Sequence, residues 1–208
     1  MKIIFLGKPG SGKGTYAQMI SEEFNIPKIT TGDLLRDEIK NKTELGKEIK
    51  DKISKGLYVD DDKVINLIKN AVKGKKDVII DGFPRTLKQT ELFKEKIDIV
   101  FYLKCSGSEI MRRLINRRIC VKCDRVYNLI TNPPKKEGIC DICGSKLVKR
   151  IDETKEAIKQ RLKVYEKETL PVIEFYKKEG SLIEINGDRE INVVYKEIKN
   201  YISSKINR

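Results

Sequence analysis

The segment Gly7-Lys8-Pro9-Gly10-Ser11-Gly12-Lys13-Gly14-Thr15 carries the residue types needed to grip a polyphosphate. Glycines let successive backbone N–H groups turn inward around an anion, and Lys13 adds a mobile cation. A helix beginning there would aim its positive dipole end at the same charge. Thr15 offers a hydroxyl to Mg²⁺. The pattern departs from the common one, in which Ser or Thr follows the lysine directly, because here Gly14 intervenes. A Gly-rich β-turn with a surface lysine is the plain alternative. Placement argues against it: the segment lies between the apolar run Ile3-Ile4-Phe5-Leu6 and an amphipathic stretch, the strand-loop-helix setting that such a loop requires.

Two further clusters could do chemistry. Asp81-Gly82-Phe83-Pro84-Arg85 follows Val78-Ile79-Ile80, so Asp81 emerges at a strand end where a carboxylate can hold Mg²⁺ through water. Strand-Asp-Gly is also a common turn signal. Gly82 and Pro84 fix a tight turn that holds Arg85 at the mouth of the site. Arg112-Arg113 and Arg117-Arg118 are expected on one helix, opened by Ser108 and running from Ile110 to Arg118. Arg113 and Arg117 would then share a face, and paired guanidinium forks suit phosphate oxygens. Taken alone, these arginines read first as a solvated basic face.

Cys120-x2-Cys123 and Cys140-x2-Cys143, with 16 residues between the pairs, have zinc-ribbon spacing. Two such knuckles close a tetrahedral thiolate shell around Zn²⁺, or iron in the same shell, with no open position, so the metal is expected to be structural. Disulfides compete, but a cytosolic chain keeps its thiols reduced. The intervening stretch, with Pro133-Pro134 and several lysines, is too poor in large aliphatics to fold on a core of its own. Cys105 ends an expected strand and reads as a small buried hydrophobe.

The elements that must position these groups alternate. Strands are expected at Lys2–Leu6, Ile26–Ile29, Asp77–Asp81, Ile99–Lys104 and Ser181–Ile185, rich in Ile, Val and Phe as in a sheet covered on both faces. Helices are expected from Lys13 to Phe24, from Thr31 or Asp33, and from Asp60 or Asp61 through Val72. Others run from Thr154 to Lys178 with an interruption at Pro171, and from Glu190 to Lys205. Gly56 and Gly74 sit where helices stop. The fold class is therefore α/β, a parallel five-stranded sheet flanked by helices, with ligands at the C-terminal strand ends. The 208 residues, 39% hydrophobic, suffice for one core with insertions. A net charge of +13 calls for an anionic ligand or partner. The chain has no histidine, which excludes a histidine base or metal ligand. With no apolar run of membrane length and no signal-peptide pattern, a soluble cytoplasmic protein is expected. No sustained heptad repeat suggests a dimer seam, so a monomer is expected.

Taken in order, Gly7 to Thr15, Thr30-Thr31-Gly32-Asp33-Leu34-Leu35-Arg36, Asp81 to Arg85 with Gln89, and Arg150-x-Asp152-Glu153 with Arg161 resemble the motifs of the adenylate kinase family, in its bacterial long form with a zinc-bearing lid. The likeness spans essentially the whole chain, and Gly-Lys-Gly-Thr is how this family writes its phosphate loop. It implies a core of residues 1–29, 60–118 and 151–208, a flap of residues 30–59 over the monophosphate, and a lid of residues 119–150 over ATP. By the same resemblance, Gly10, Ser11, Gly12, Lys13, Gly14 and Thr15 take the phosphates of ATP. Arg113, Arg117, Val126, Tyr127 and the backbone near Arg189 meet the rest of that nucleotide. Thr31, Arg36, Leu57, Tyr58, Val59, Gly82, Phe83, Pro84, Arg85 and Gln89 form the AMP pocket. Arg150 and Arg161 bridge the reacting phosphates, with Asp152 and Glu153 as paired acids. Lys13, Arg85, Arg117, Arg150 and Arg161 are the implied catalytic set, Mg²⁺ and structural Zn²⁺ the implied cofactors, and ATP, AMP and ADP the implied ligands.

Two alternatives remain at this point. One is a kinase for another nucleoside monophosphate; the Gln89 amide argues for adenine, since it can donate to N1 and accept from the N6 amine. The other is a nucleic-acid-binding protein using the zinc ribbon and the positive charge. The cysteine-bearing segment lacks the interleaved aromatics of a strand-binding groove, so no nucleic acid or membrane partner is expected.

Overall fold

The computed structural model describes residues 1–150 and 153–206; Asp152 lies outside the described residues. The chain opens with β1 (Lys2–Gly7), α1 (Lys13–Phe24) and β2 (Lys28–Thr30). Two helices, α2 (Thr31–Lys40) and α3 (Glu44–Ser54), pack on each other, and α4 (Asp61–Val72) leads into β3 (Val78–Asp81). The short α5 (Leu87–Leu92) precedes β4 (Ile99–Lys104), and α6 (Gly107–Ile115) precedes a small antiparallel sheet. That sheet comprises β5 (Arg117–Cys120), β6 (Val126–Asn128) and β7 (Leu147–Val148), with β5 in the centre. Helices α7 (Lys155–Val164) and α8 (Leu170–Lys178) flank a π-helical turn at Tyr165–Thr169; β8 (Leu182–Asn186) and α9 (Ile191–Ile206) end the described chain.

The main sheet is wholly parallel in the order β2-β3-β1-β4-β8. Its period-two alternation divides the core. Ile4, Leu6, Val78, Ile80 and Val100 face Val64, Ile65 and Ile68 of α4 and Val172 and Ile173 of α8. Ile3, Phe5, Ile79, Phe101 and Leu103 face Tyr16, Ala17 and Ile20 of α1 and Val194, Ile198 and Ile202 of α9. Burial on both faces is why these strands are continuous apolar runs. The five expected strands are all present, Ile99–Lys104 with the same bounds and the others with ends moved by no more than two residues.

Two expectations are corrected. Helix α6 stops at Ile115, and its cap is Ser106, whose Oγ accepts from the Glu109 N–H at 3.4 Å, rather than Ser108. Arg117 and Arg118 lie in β5, where Arg117 pairs with Asn128 and Ile119 with Val126, so Arg113 and Arg117 are not neighbours on one helical face. Ladder pairing on both edges of β5 outweighs the helical propensity of the arginines. The second correction concerns the long C-terminal helix. Pro171 sits in the first turn of α8, where a missing N–H costs nothing, and the break is absorbed before it by the π-turn.

Gly46 generates a test of this packing. It lies inside α3, where Gly→Ala ordinarily stabilises by about 1 kcal/mol. A Cβ there would stand 2.0 Å from the Glu38 carbonyl oxygen at the end of α2. Gly46→Ala is therefore expected to lower the melting temperature by several degrees, measured by calorimetry; an unchanged or higher value would contradict the α2–α3 contact.

Candidate active site

Strands β1 and β3 run side by side with Phe5 opposite Asp81, so the loops that follow them open at one edge of the sheet. The first loop turns through Gly10 and Gly12, at φ +87° and +91°, a conformation that glycine adopts without strain. Gly12 then caps α1, directing the first-turn N–H groups of that helix into the loop. A Cβ at position 14 would lie 2.9 Å from Asp81 Oδ2. The departure from the common loop pattern thus has a steric cause: the carboxylate occupies the space that a serine or threonine side chain would need.

The loops enclose a cavity of about 520 Å³. Gly10, Gly12, Lys13, Gly14 and Thr15 form its floor; Thr31, Arg36, Leu57, Tyr58 and Val59 form one wall. Arg113, Arg117, Val126, Tyr127 and Arg189 form the other, and Asp81, Gly82, Arg85, Gln89, Arg150 and Arg161 close it between them. Among the buried side-chain oxygens without a partner are Thr31 Oγ1 and Asp81 Oδ1, both on cavity-lining residues.

Charge distinguishes this cavity. Burial pulls the Lys13 ammonium down to about 8; Asp81 opposes that shift, while Arg85, Arg161 and Arg117 add to it. Burial likewise lowers Arg85 and raises the Asp81 carboxyl, the latter against the attraction of Lys13 and Lys28. Each charge here is disfavoured by desolvation, and the cations repel one another. Several are held by backbone or by a carboxylate. Arg85 Nε donates to the Gly82 carbonyl at 2.7 Å, and its guanidinium stacks 5.3 Å from the Tyr58 ring centroid. Arg113 donates to the carbonyls of Gly187 at 2.7 Å and Ser11 at 3.2 Å, as well as to Glu109. Arg36 pairs with Asp33, and Arg117 with the nearly buried Glu153.

The four cysteines of the small sheet converge. Their sulfur atoms all lie within 4.8 Å of one another, and the three close pairs span 3.3 to 3.6 Å. Those separations exceed an S–S bond of about 2.05 Å and match the edges of a tetrahedron with metal–sulfur distances of about 2.3 Å. Each knuckle closes the same way: Asp124 N–H donates to Cys120 O and Gly144 N–H to Cys140 O, at 3.2 and 2.9 Å, with residues 124 and 144 both left-handed. Burial raises the Cys140 thiol, but hydrogen bonds from Tyr127 and the backbone N–H groups of Cys143 and Ile142 bring it down to about 6. The cluster is suited to a thiophilic cation.

The family model for adenylate kinase matches residues 5–181. The chain belongs to the adenylate kinase family. Similar proteins include an adenylate kinase of Methanothrix thermoacetophila, 46% identical over 98% of this chain and 99% of the relative. Another is the adenylate kinase of Caldicellulosiruptor saccharolyticus, 44% identical over 95% and 97%. That of Clostridium acetobutylicum is 42% identical over 97% and 99%.

Against the adenylate kinase motifs in this sequence, three residues stand apart from the cavity wall. Ser11 is fully buried beneath the loop, and Phe83 packs in the core with its ring edge-on to Phe93. Pro84 is buried behind Arg85. Conversely, Asn128, Asn132, Asp188 and Asn192 line the cavity although no motif in the sequence marks them. Isolated polar residues such as these carry no spacing signal by which to find them.

Gly14→Ser restores the commoner loop order and tests the steric account. It is expected to weaken binding of a non-hydrolysable ATP analogue at least tenfold in calorimetry, through the collision with Asp81. Equal or tighter binding would contradict that account.

Proposed function

We propose that this chain transfers the γ-phosphoryl group of ATP to AMP, reversibly, giving two ADP and keeping the adenine nucleotides in balance. The observation that carries this reading is the gathering of Lys13 and the arginines Arg85, Arg117 and Arg161 in one cavity, between a phosphate-gripping loop and the Gln89 carboxamide. Polyanions on both sides would relieve the repulsion among those cations.

In this reading Gly10 to Thr15 cradle the β- and γ-phosphates, and Lys13 follows the transferred group. Arg113, Arg117, Val126, Tyr127 and Arg189 hold ATP. Thr31, Arg36, Leu57, Tyr58, Val59, Gly82 and Gln89 hold AMP, while Arg85, Arg150 and Arg161 draw the two phosphates together. Ser11, Phe83 and Pro84 act from beneath, fixing the loops. The attacking oxygen of AMP is already ionised at neutral pH, so no general base is required, and a chain without histidine loses nothing. Thr15 and Asp81 would hold Mg²⁺, through water, and the ion would supply neutralisation of phosphate charge. The buried, unpartnered Asp81 Oδ1 fits that assignment. Residues 119–150 act as a lid over ATP and residues 30–59 as a flap over AMP, each on the core of 1–29, 60–118 and 151–208. Closure of both would complete the cation shell and exclude water as a competing acceptor. Cys120, Cys123, Cys140 and Cys143 hold Zn²⁺ in a structural role; their mutual distances support this, as does the lack of any larger core in that segment. The enzyme works as a monomer in the cytoplasm, where its thiols stay reduced, without a nucleic acid partner.

Measured with AMP, GMP, CMP and UMP as acceptors, kcat/KM is expected to favour AMP by at least about a hundredfold; comparable use of another acceptor would contradict the assignment of AMP. Lys13→Met should leave the melting temperature nearly unchanged and reduce kcat by about 10³-fold, and near-normal turnover would remove Lys13 from the mechanism. Replacing the four lid cysteines with serine should abolish one equivalent of bound zinc and lower the melting temperature while sparing catalysis at low temperature. An unchanged melting temperature would refute the structural role.

A further inference from the structure

The carboxamide of Gln89 is 1% exposed and lines the cavity, and both of its ends are engaged by the protein. The backbone N–H of Arg85 donates to Gln89 Oε1 at 2.8 Å, and Gln89 Nε2 donates to Asp61 Oδ1 at 2.8 Å. The same Asp61 oxygen accepts from Thr86 Oγ1 at 2.9 Å, and Thr86 Oγ1 in turn caps α5 by accepting from the Gln89 N–H at 3.1 Å. A backbone N–H can only donate and a carboxylate can only accept, so the orientation of the amide is dictated by its neighbours. Turning it over would place Nε2 against the Arg85 N–H and Oε1 against the Asp61 carboxylate. Two buried hydrogen bonds would give way to donor facing donor and acceptor facing acceptor.

Asp61 itself is half-buried in the first turn of α4 and does not line the cavity. We propose that Asp61 is the positioning residue that fixes which way round the Gln89 carboxamide meets the acceptor base. It thereby makes the site prefer a purine with an amine at its six-position over one with a carbonyl there.

This rests on the assignment of AMP as acceptor. The amide nitrogen has one hydrogen committed to Asp61 and one left for a ring nitrogen that accepts; the amide oxygen, already accepting from Arg85, has a lone pair left for an amine that donates. Adenine offers both partners. A six-oxo purine offers the reverse, a carbonyl acceptor and a protonated ring nitrogen, and would need the inverted amide. Sites that hold buried polar groups ready for one pattern reject its inverse strongly, because the unmatched groups stay desolvated. Asp61→Asn changes no volume, yet an amide at position 61 can turn its own NH₂ toward an inverted Gln89.

The test measures kcat and KM for AMP, inosine monophosphate and GMP with the wild-type enzyme and Asp61→Asn, alongside KM for ATP and the melting temperature. The wild type should reject inosine monophosphate and GMP alike, since both carry the six-oxo pattern and only GMP has a 2-amino group. In Asp61→Asn the preference in kcat/KM for AMP over inosine monophosphate should fall about tenfold, with KM for AMP raised several-fold and KM for ATP within about twofold of wild type. Should the variant not fold, the wild-type comparison decides: use of inosine monophosphate within about threefold of AMP would overturn the proposal. So would an unchanged preference in a folded variant, or a loss falling equally on all acceptors and on ATP, which marks a merely structural residue. Failure of the wild type to phosphorylate AMP would instead bring down the functional assignment itself.

Discussion

Like charges do not gather in a buried cavity unless a rigid frame holds them there, and this fold is built around that constraint. Desolvation pulls Lys13 down to about 8 against the attraction of Asp81, and Arg85, Arg161 and Arg117 add to that shift. The cost of assembling such a group is met by the parallel sheet, whose fully buried strands fix Phe5 opposite Asp81 and so fix the two loops that carry Lys13 and Arg85. A cavity prepared in this way has a strong preference for polyanions before any specific recognition occurs.

Specific recognition is added from behind the cavity wall. The Arg85 carbonyl accepts from Thr169 Oγ1 at 2.8 Å, and Thr169, in the π-turn, is within 3.0 Å of the Tyr58 hydroxyl. The loop after β3, the C-terminal helices and the end of the α3 segment are thereby joined through one hydroxyl. Arg113 plays a similar part on the other side, spanning the phosphate loop and the turn after β8. Arg125 of the cysteine-bearing segment reaches Glu22 of α1 at 3.0 Å, an exposed pair that contributes little energy but fixes approach. Side chains that face the cavity, Tyr58 and Arg113 among them, are thus oriented in part by groups that do not line it: Thr169, Ser11 and Gly187.

Much of this was legible in the sequence, for identifiable reasons. Strands such as Ile3 to Leu6 and Val78 to Ile80 are uninterrupted apolar runs, and buried parallel strands must read that way. The phosphate loop and the two cysteine knuckles announce themselves because backbone geometry and metal coordination both demand fixed spacing. What escaped depended on tertiary pairing. Arg117 has good helical propensity and follows a helix, yet pairing with Asn128 of β6 draws it into a strand. The π-turn at Tyr165–Thr169 has no composition signature beside the more obvious Pro171. Neither the collision that keeps position 14 a glycine nor the hold of Asp61 on Gln89 has a local signal, since their partners lie 67 and 28 residues away.

Two polyanions are expected to meet inside one cradle of buried cations. A crystal structure of the enzyme with two adenosines joined through a polyphosphate chain tests it most directly. One molecule should be bound, its phosphates passing between Lys13 and Arg85 and one adenine against Gln89. Phosphates lying elsewhere, or both adenines outside the cavity, would contradict it.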